Sequence, residues 1–203
     1  MRDWRLGVAT TDLDVTVEGD GLAVAKAAAR ALGSRLTTHA QFGTATMLLS
    51  PPGRRLDVAT CRTEAYAKPA AYPRVRPGAI EDDLFRRDFT INAMAVALDP
   101  ARLGTMVDPF HGARDLAAKR LRILHGRSFL DDPSRILRGI RFLHRFGLAW
   151  EPATERALRE AVADGALGWL NPGRLERELD RMQREPDPAA CMRTLAALLD
   201  KRG

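Results

Sequence analysis

The clearest pattern near the start of the chain is an alternation. From residue 11 to 18 the order is Thr-Asp-Leu-Asp-Val-Thr-Val-Glu, the period of a half-buried strand. Side chains two apart on a strand share a face. Leu13, Val15 and Val17 are therefore expected in a core, with Asp12 and Asp14 together on the other side. Gly19 and Asp20 supply a turn and a cap, and Val24, Ala25, Ala28, Ala29 and Leu32 predict a helix over about 22–32 that stops at Gly33. Strand-like stretches follow at 35–39, 44–50 and 55–60, the last two joined as a hairpin by Pro51-Pro52-Gly53. Residues 61–80, with Pro69, Pro73 and Pro77, read as loop; a short helix is expected at 81–86 and a mixed segment at 89–98.

Past Asp108 the pattern changes period. A polar connector carrying Gly112, Asp115 and Lys119 ends in Leu121-Arg122-Ile123-Leu124. Asp132-Pro133 is a helix cap followed by proline at the first helical position, with the helix running to about 146 and Gly147 stopping it. A second helix is expected at 152–164. Asn171-Pro172 opens a third with Leu175, Leu179 and Met182 on one side; Asp187-Pro188 opens a fourth with Cys191, Leu195 and Leu198 inward. The whole is an α+β chain: a small mixed-sheet head with its connector over 1–122, then an all-α neck over 123–203.

Composition narrows the chemistry. The 203 residues carry 32 Lys and Arg against 26 Asp and Glu, a net +6, which suits an anionic partner such as RNA. Cys61 and Cys191 stand far apart without metal-ligand spacing, so neither a disulfide framework nor a zinc site is indicated. No segment reaches membrane-spanning length and the first residues lack a signal-peptide pattern, so the expectation is a cytoplasmic protein without a membrane partner.

Two clusters stand out. Asp12 and Asp14 side by side repel unless a cation lies between them, and a pair of hard oxygen ligands suits Mg²⁺; taken alone, the pair reads first as a solvated strand face. Asp57, in the strand at 55–60, is either a third metal ligand or a surface charge. Arg87 and Asp88 form a cation–carboxylate pair where the chain turns apolar. Arg135, Arg138, Arg141 and Arg145 recur at three, three and four residues, along one helix face, behind Asp131-Asp132 at the helix start. Without those carboxylates the row would be a solvated basic face. His39, His111, His125 and His144 show no ligand spacing, and Trp150 and Trp169 sit where packing residues sit.

Taken together, the stretches 81–95 (Glu-Asp-Asp-Leu-Phe-Arg-Arg-Asp-Phe-Thr-Ile-Asn-Ala-Met-Ala) and 129–142 (Phe-Leu-Asp-Asp-Pro-Ser-Arg-Ile-Leu-Arg-Gly-Ile-Arg-Phe), behind the Asp12/Asp14 strand, resemble the class II tRNA nucleotidyltransferase and bacterial poly(A) polymerase family of the polymerase-β-like superfamily. Asp108-Pro109-Phe110-His111-Gly112, Phe42-Gly43-Thr44-Ala45 and Arg62-Thr63-Glu64-Ala65-Tyr66 match smaller landmarks of that family. The resemblance covers nearly the whole chain. It implies Mg²⁺-dependent addition of C and/or A to the 3′ end of tRNA from CTP or ATP, with Asp12 and Asp14 as catalytic metal ligands. It also implies nucleotide contacts from Arg2 and Arg87, and reading of the base edge by Asp132 and Arg135. Arg138 and Arg141 would reach nucleotide phosphates or stabilise the base reader.

Chemistry accords with that base reader. Cytosine and adenine share an amino donor beside a ring-nitrogen acceptor, which a carboxylate and a guanidinium complement; uracil and guanine invert the pattern. Alternatives are a poly(A) polymerase acting on general RNA 3′ ends, or a non-catalytic RNA-binding remnant. Departures from the family are Asp131 where glutamate is common, the missing glycine pair upstream of the acidic strand, and no body and tail after the fourth helix; the expectation is a chain truncated at both ends. Arg174 and Glu178 resemble a further family motif, expected to form a stabilising i, i+4 pair.

Overall fold

A computed structural model describes residues 1–10, 12–50 and 53–200; the Pro51-Pro52 part of the expected hairpin turn lies outside them, as does Thr11. The chain divides into two packing units, Met1–Ala65 with Val75–Arg86, and Tyr66–Arg74 with Arg87–Gly203.

The first unit opens with a one-turn helix, α1 (Arg2–Arg5), followed by the alternating segment as β1 (Asp12–Val17). Then come α2 (Gly21–Leu32), β2 (Arg35–His39), β3 (Thr44–Leu49) and β4 (Arg54–Thr60). Asp20 starts α2 by accepting from the Ala23 N–H at 2.9 Å, and Gly33 ends it in the left-handed region at φ 60°. The sheet order is β1-β4-β3-β2, with β1 parallel to β4 and the other pairs antiparallel. One sheet face is apolar: Ala45, Met47 and Val58 pack with Ala25 and Ala29 of α2, and Val15, Val17, Leu36 and Leu56 close around them. Leu13 departs from expectation. It is 50% exposed, because β1 is an edge strand and its first residues lie beyond the cover of the core.

Residues 61–80 also differ from the loop expected. They contain β5 (Arg62–Ala65) paired with β6 (Arg74–Pro77), and then α3 (Ile80–Phe85). These strands are four residues long, too short to show an alternation, and Pro77 is tolerated at the end of an exposed one. Glu18 accepts from the Ile80 N–H at 2.7 Å, fixing the entry to α3.

The second unit contains a small hairpin, β7 (Ala95–Val96) with β8 (Met106–Val107), then α4 (Gly112–Ala117) and β9 (Arg120–Leu121). After these come α5 (Ser128–Asp131), α6 (Ser134–Phe146), β10 (Ala149–Trp150) parallel to β9, α7 (Pro152–Ala163), α8 (Pro172–Gln183) and α9 (Pro188–Asp200). The expected neck helices are present; α5 was not anticipated, and α6 begins at Ser134, so Pro133 is its cap residue rather than its first helical one.

Residues 87–122, grouped with the head from sequence, pack in the second unit because Phe89 is fully buried there. Its ring meets Phe142 edge-on at 5.9 Å and lies 6.5 Å from Phe129 and 6.1 Å from Trp150. Gly139 on α6 makes this cluster possible: a Cβ there would fall 2.1 Å from the Trp150 ring and 2.9 Å from Phe89. Trp150 is thus a packing residue. Cys61 and Cys191 are both buried and free. Among the described residues no helix is long and apolar enough to cross a membrane.

Candidate active site

In the first unit the polar face of the sheet carries the acidic groups. Residues paired in register point to the same side of a sheet. Asp14 pairs with Asp57, Asp12 with Arg55, and Asp57 in turn with Thr46. Asp12, Asp14, Arg55, Asp57 and Thr46 therefore share the face opposite the apolar core. Asp57 is committed to its neighbours: the Thr46 hydroxyl donates to Oδ1 at 2.5 Å and Arg55 Nε to Oδ2 at 2.9 Å. Arg55 also stands 3.7 Å from Asp12. Asp12 is more than half exposed, and Asp14 is exposed too.

Among the described residues no three His, Cys, Asp or Glu are gathered as a metal cage. What the face offers is two exposed carboxylates on one strand, open to water. That donor set fits a hard divalent ion that keeps several waters and shares the rest of its shell with substrate phosphates. Arg2 lies on α1, where its guanidinium meets the Asp3 carboxylate at 2.9 Å.

In the second unit the arginine row of α6 is not a solvated face. Arg135 and Arg141 are buried, and carboxylates or hydroxyls from other segments meet each of the four. Arg138 donates from Nε and Nη2 to one oxygen of Asp88, at 2.8 and 2.5 Å. The other Asp88 oxygen accepts from the Phe89 N–H and from Asn92, at 2.8 and 2.7 Å. The ion pair expected between Arg87 and Asp88 is therefore one between Arg138 and Asp88. Arg138 reaches Asp88 from α6, while Arg87 donates to the Asn92 carbonyl instead. Burial alone would raise the Asp88 pKa, but the Arg138 charge and these hydrogen bonds outweigh it and hold the carboxyl below its ordinary value.

Arg141 donates to Glu185 at 2.7 Å and to Glu178 at 3.1 Å, and Arg145 grips both oxygens of Glu185. The Glu185 side chain has no exposure. Burial pushes its pKa up, and hydrogen bonds from Arg145 and Arg141 with their charges bring it net below the ordinary glutamate value. These carboxylates, on α8 and just before α9, bind both elements to α6.

The base-reading candidates lie at the start of α6. Arg135 donates to the Ser128 hydroxyl at 2.6 Å. Asp132 Oδ1 accepts from the Ser134 N–H at 3.1 Å, the Ser134 hydroxyl at 2.6 Å and Arg174 Nη2 at 2.7 Å. The expected Arg174–Glu178 pair is thus replaced: Arg174 serves Asp132, while Glu178 serves Arg141 and Arg181. Sequence reasoning missed Glu178, Glu185 and Arg174 as partners of α6. Four arginines along an amphipathic helix were the available signal, since a buried row of cations requires carboxylates from neighbouring elements.

Residues 1–122 match the family described as the Poly A polymerase head domain. The chain is 43% identical over 205 residues to the A-adding tRNA nucleotidyltransferase of Halalkalibacterium halodurans, covering 98% of this chain and 47% of that protein. It is 39% identical over 196 residues to the CC-adding tRNA nucleotidyltransferase of Deinococcus radiodurans, covering 96% and 51%. Among solved structures it resembles an apo form of a CCA-adding enzyme with a TM-score of 0.93 at 42% identity, over 99% of this chain and 47% of that one. It also resembles the Thermotoga maritima CCA-adding enzyme complexed with tRNA, with a TM-score of 0.83 at 41% identity, over 99% and 45%. The chain spans about half the length of these two curated relatives, and 22% of the A-adding tRNA nucleotidyltransferases of Geobacter sulfurreducens and Aquifex aeolicus. The acidic strand, the arginine-bearing helix and these matches agree, and the chain belongs to the class II tRNA nucleotidyltransferase and bacterial poly(A) polymerase family.

Proposed function

We propose that the chain transfers C and/or A nucleotides from CTP or ATP to the 3′ end of tRNA. The observation that carries this is the placement of Asp12 and Asp14 on the polar face of the sheet, in a chain of this family. The chemistry is in-line attack of an RNA 3′-hydroxyl on the α-phosphate: the new O–P bond forms, the bond to pyrophosphate breaks, and the hydroxyl proton is released. Asp12 and Asp14 would hold Mg²⁺, which when bound activates the hydroxyl and neutralises charge on the leaving pyrophosphate. Asp57 supports that face by tying down Arg55; we assign it no ligand role.

Base selection belongs to the second unit. Three donors fill Asp132 Oδ1, more than its two lone pairs comfortably take. Oδ2, with no protein donor among the described residues, is the acceptor for the amino group shared by cytosine and adenine. Arg135, held by Ser128, is assigned the ring nitrogen. Arg138 fixes Asp88 and Arg141 anchors α6 to Glu178 and Glu185, so both stabilise the base reader. In the first unit Arg2 is assigned a phosphate contact, and in the second Arg87 is assigned a nucleotide contact.

Primer extension tests the proposal. A tRNA lacking one, two or three terminal nucleotides, given CTP or ATP with Mg²⁺, should gain a limited number of nucleotides while a generic RNA gains none. Long adenylate tails on any RNA would establish the poly(A) polymerase alternative, and binding without extension the non-catalytic one.

A further inference from the structure

We infer that Arg174 is a positioning residue for base selection, acting by holding one oxygen of Asp132 so that the other faces the base. This rests on the reading of Asp132 as a base reader and goes beyond it by naming what sets its orientation. Arg174 occupies the first turn of α8, where the helix dipole disfavours a cation. A specific partner compensates: Arg174 Nη2 donates to Asp132 Oδ1 at 2.7 Å and to the Ser134 hydroxyl at 3.3 Å. Ser134 in turn donates to the same Asp132 oxygen, closing a three-membered network. The guanidinium carbon also lies over the Tyr72 ring, 5.9 Å from its centroid, a second restraint on the planar group.

A carboxylate that rotates freely about its last torsion presents either oxygen in any direction. One clamped at Oδ1 by three donors presents Oδ2 in a single direction, and only that direction tells an amino group from a carbonyl. Removing Arg174 leaves the two Ser134 contacts and loosens the torsion. Discrimination should then fall while the ability to bind a triphosphate persists.

The test uses the full chain and measures affinities for the Mg²⁺ complexes of ATP, CTP, GTP and UTP by calorimetry, with thermal melting alongside. The readout is the ratio of affinity for ATP or CTP to that for GTP or UTP. Asp132→Ala should abolish the preference, Arg174→Ala should reduce the ratio about tenfold, and Arg174→Lys should fall between, keeping the charge without the stacked fork. A purely structural Arg174 would weaken all four nucleotides together and leave the ratio unchanged. If Arg174→Ala fails to fold, Arg174→Lys decides: a reduced ratio supports the inference and a wild-type ratio overturns it. A wild-type ratio in Arg174→Ala with the preference lost in Asp132→Ala overturns the inference alone. A preference retained in Asp132→Ala, or absent from the wild-type chain, overturns the base-reader reading and the inference with it.

Discussion

Asp88→Asn perturbs the second unit at the point where the chain after α3 is tied to α6. The wild-type carboxylate receives four donors, two on each oxygen, and is 7% exposed. An asparagine can satisfy only one side. With its oxygen toward Phe89 and Asn92, its NH₂ confronts the Arg138 guanidinium; flipped, it confronts the other two donors. Two charge-assisted hydrogen bonds are lost, each with a net worth of about 1.5–3 kcal/mol. Arg138 retains about a third of its exposure, so water recovers part of that loss, and the expected cost is about 2–4 kcal/mol. For a chain of this length that lowers Tm by roughly 4–16 °C.

The deficit should also depend on pH. The folded-state pKa of Asp88 is depressed, so its contribution is complete above the unfolded value of about 3.9 and is lost as pH falls through the folded value. The gap between wild type and Asp88→Asn should stay constant from neutral pH to about 5 and close in stronger acid. Urea titrations at a series of pH values measure both quantities. A gap below about 1 kcal/mol at neutral pH, or one that does not change on acidification, would refute the assignment of this pair.

Other substitutions follow from the same geometry. Gly139→Ala places a methyl 2.1 Å from Trp150 and should cost at least about 1–3 kcal/mol through overpacking, read as a lower denaturation midpoint. Glu185→Gln should destabilise by about 1–3 kcal/mol, less than complete loss of the cluster because Arg141 keeps Glu178. The depressed Glu185 pKa again puts its stabilisation above the unfolded value of about 4.3, lost as pH falls through the folded value; melting curves from pH 7 to pH 3 check this. Asp132→Ala should relax base choice before chemistry fails, seen as incorporation of U or G when all four triphosphates compete.

Periodicity made most of the fold legible. The β1 alternation, the α2 stripe with its Gly33 stop and the proline-marked starts of α7, α8 and α9 are local signals, and they lie where the pattern put them. Elements of two to four residues, such as β5, β6 and α5, carry no readable period and were missed. For the candidate site, the shared face of Asp12 and Asp14 follows from strand period alone. The partners of the arginines did not follow, because Asp88–Arg138, Arg141–Glu185 and Asp132–Arg174 join residues 50, 44 and 42 apart. Such pairings depend on tertiary packing, and chain neighbours such as Arg87 and Asp88, or an i, i+4 spacing such as Arg174 and Glu178, suggested nearer partners that burial overruled.

In the proposed reaction Asp12 and Asp14 together carry the transfer chemistry. This is tested most directly by single-turnover extension of a 3′-shortened tRNA with Mg²⁺ and ATP or CTP, comparing wild type with Asp12→Asn and Asp14→Asn. Both side chains are exposed, so the melting temperature should stay unchanged while the extension rate falls by about a thousandfold or more. Extension by both variants at the wild-type rate would contradict the account.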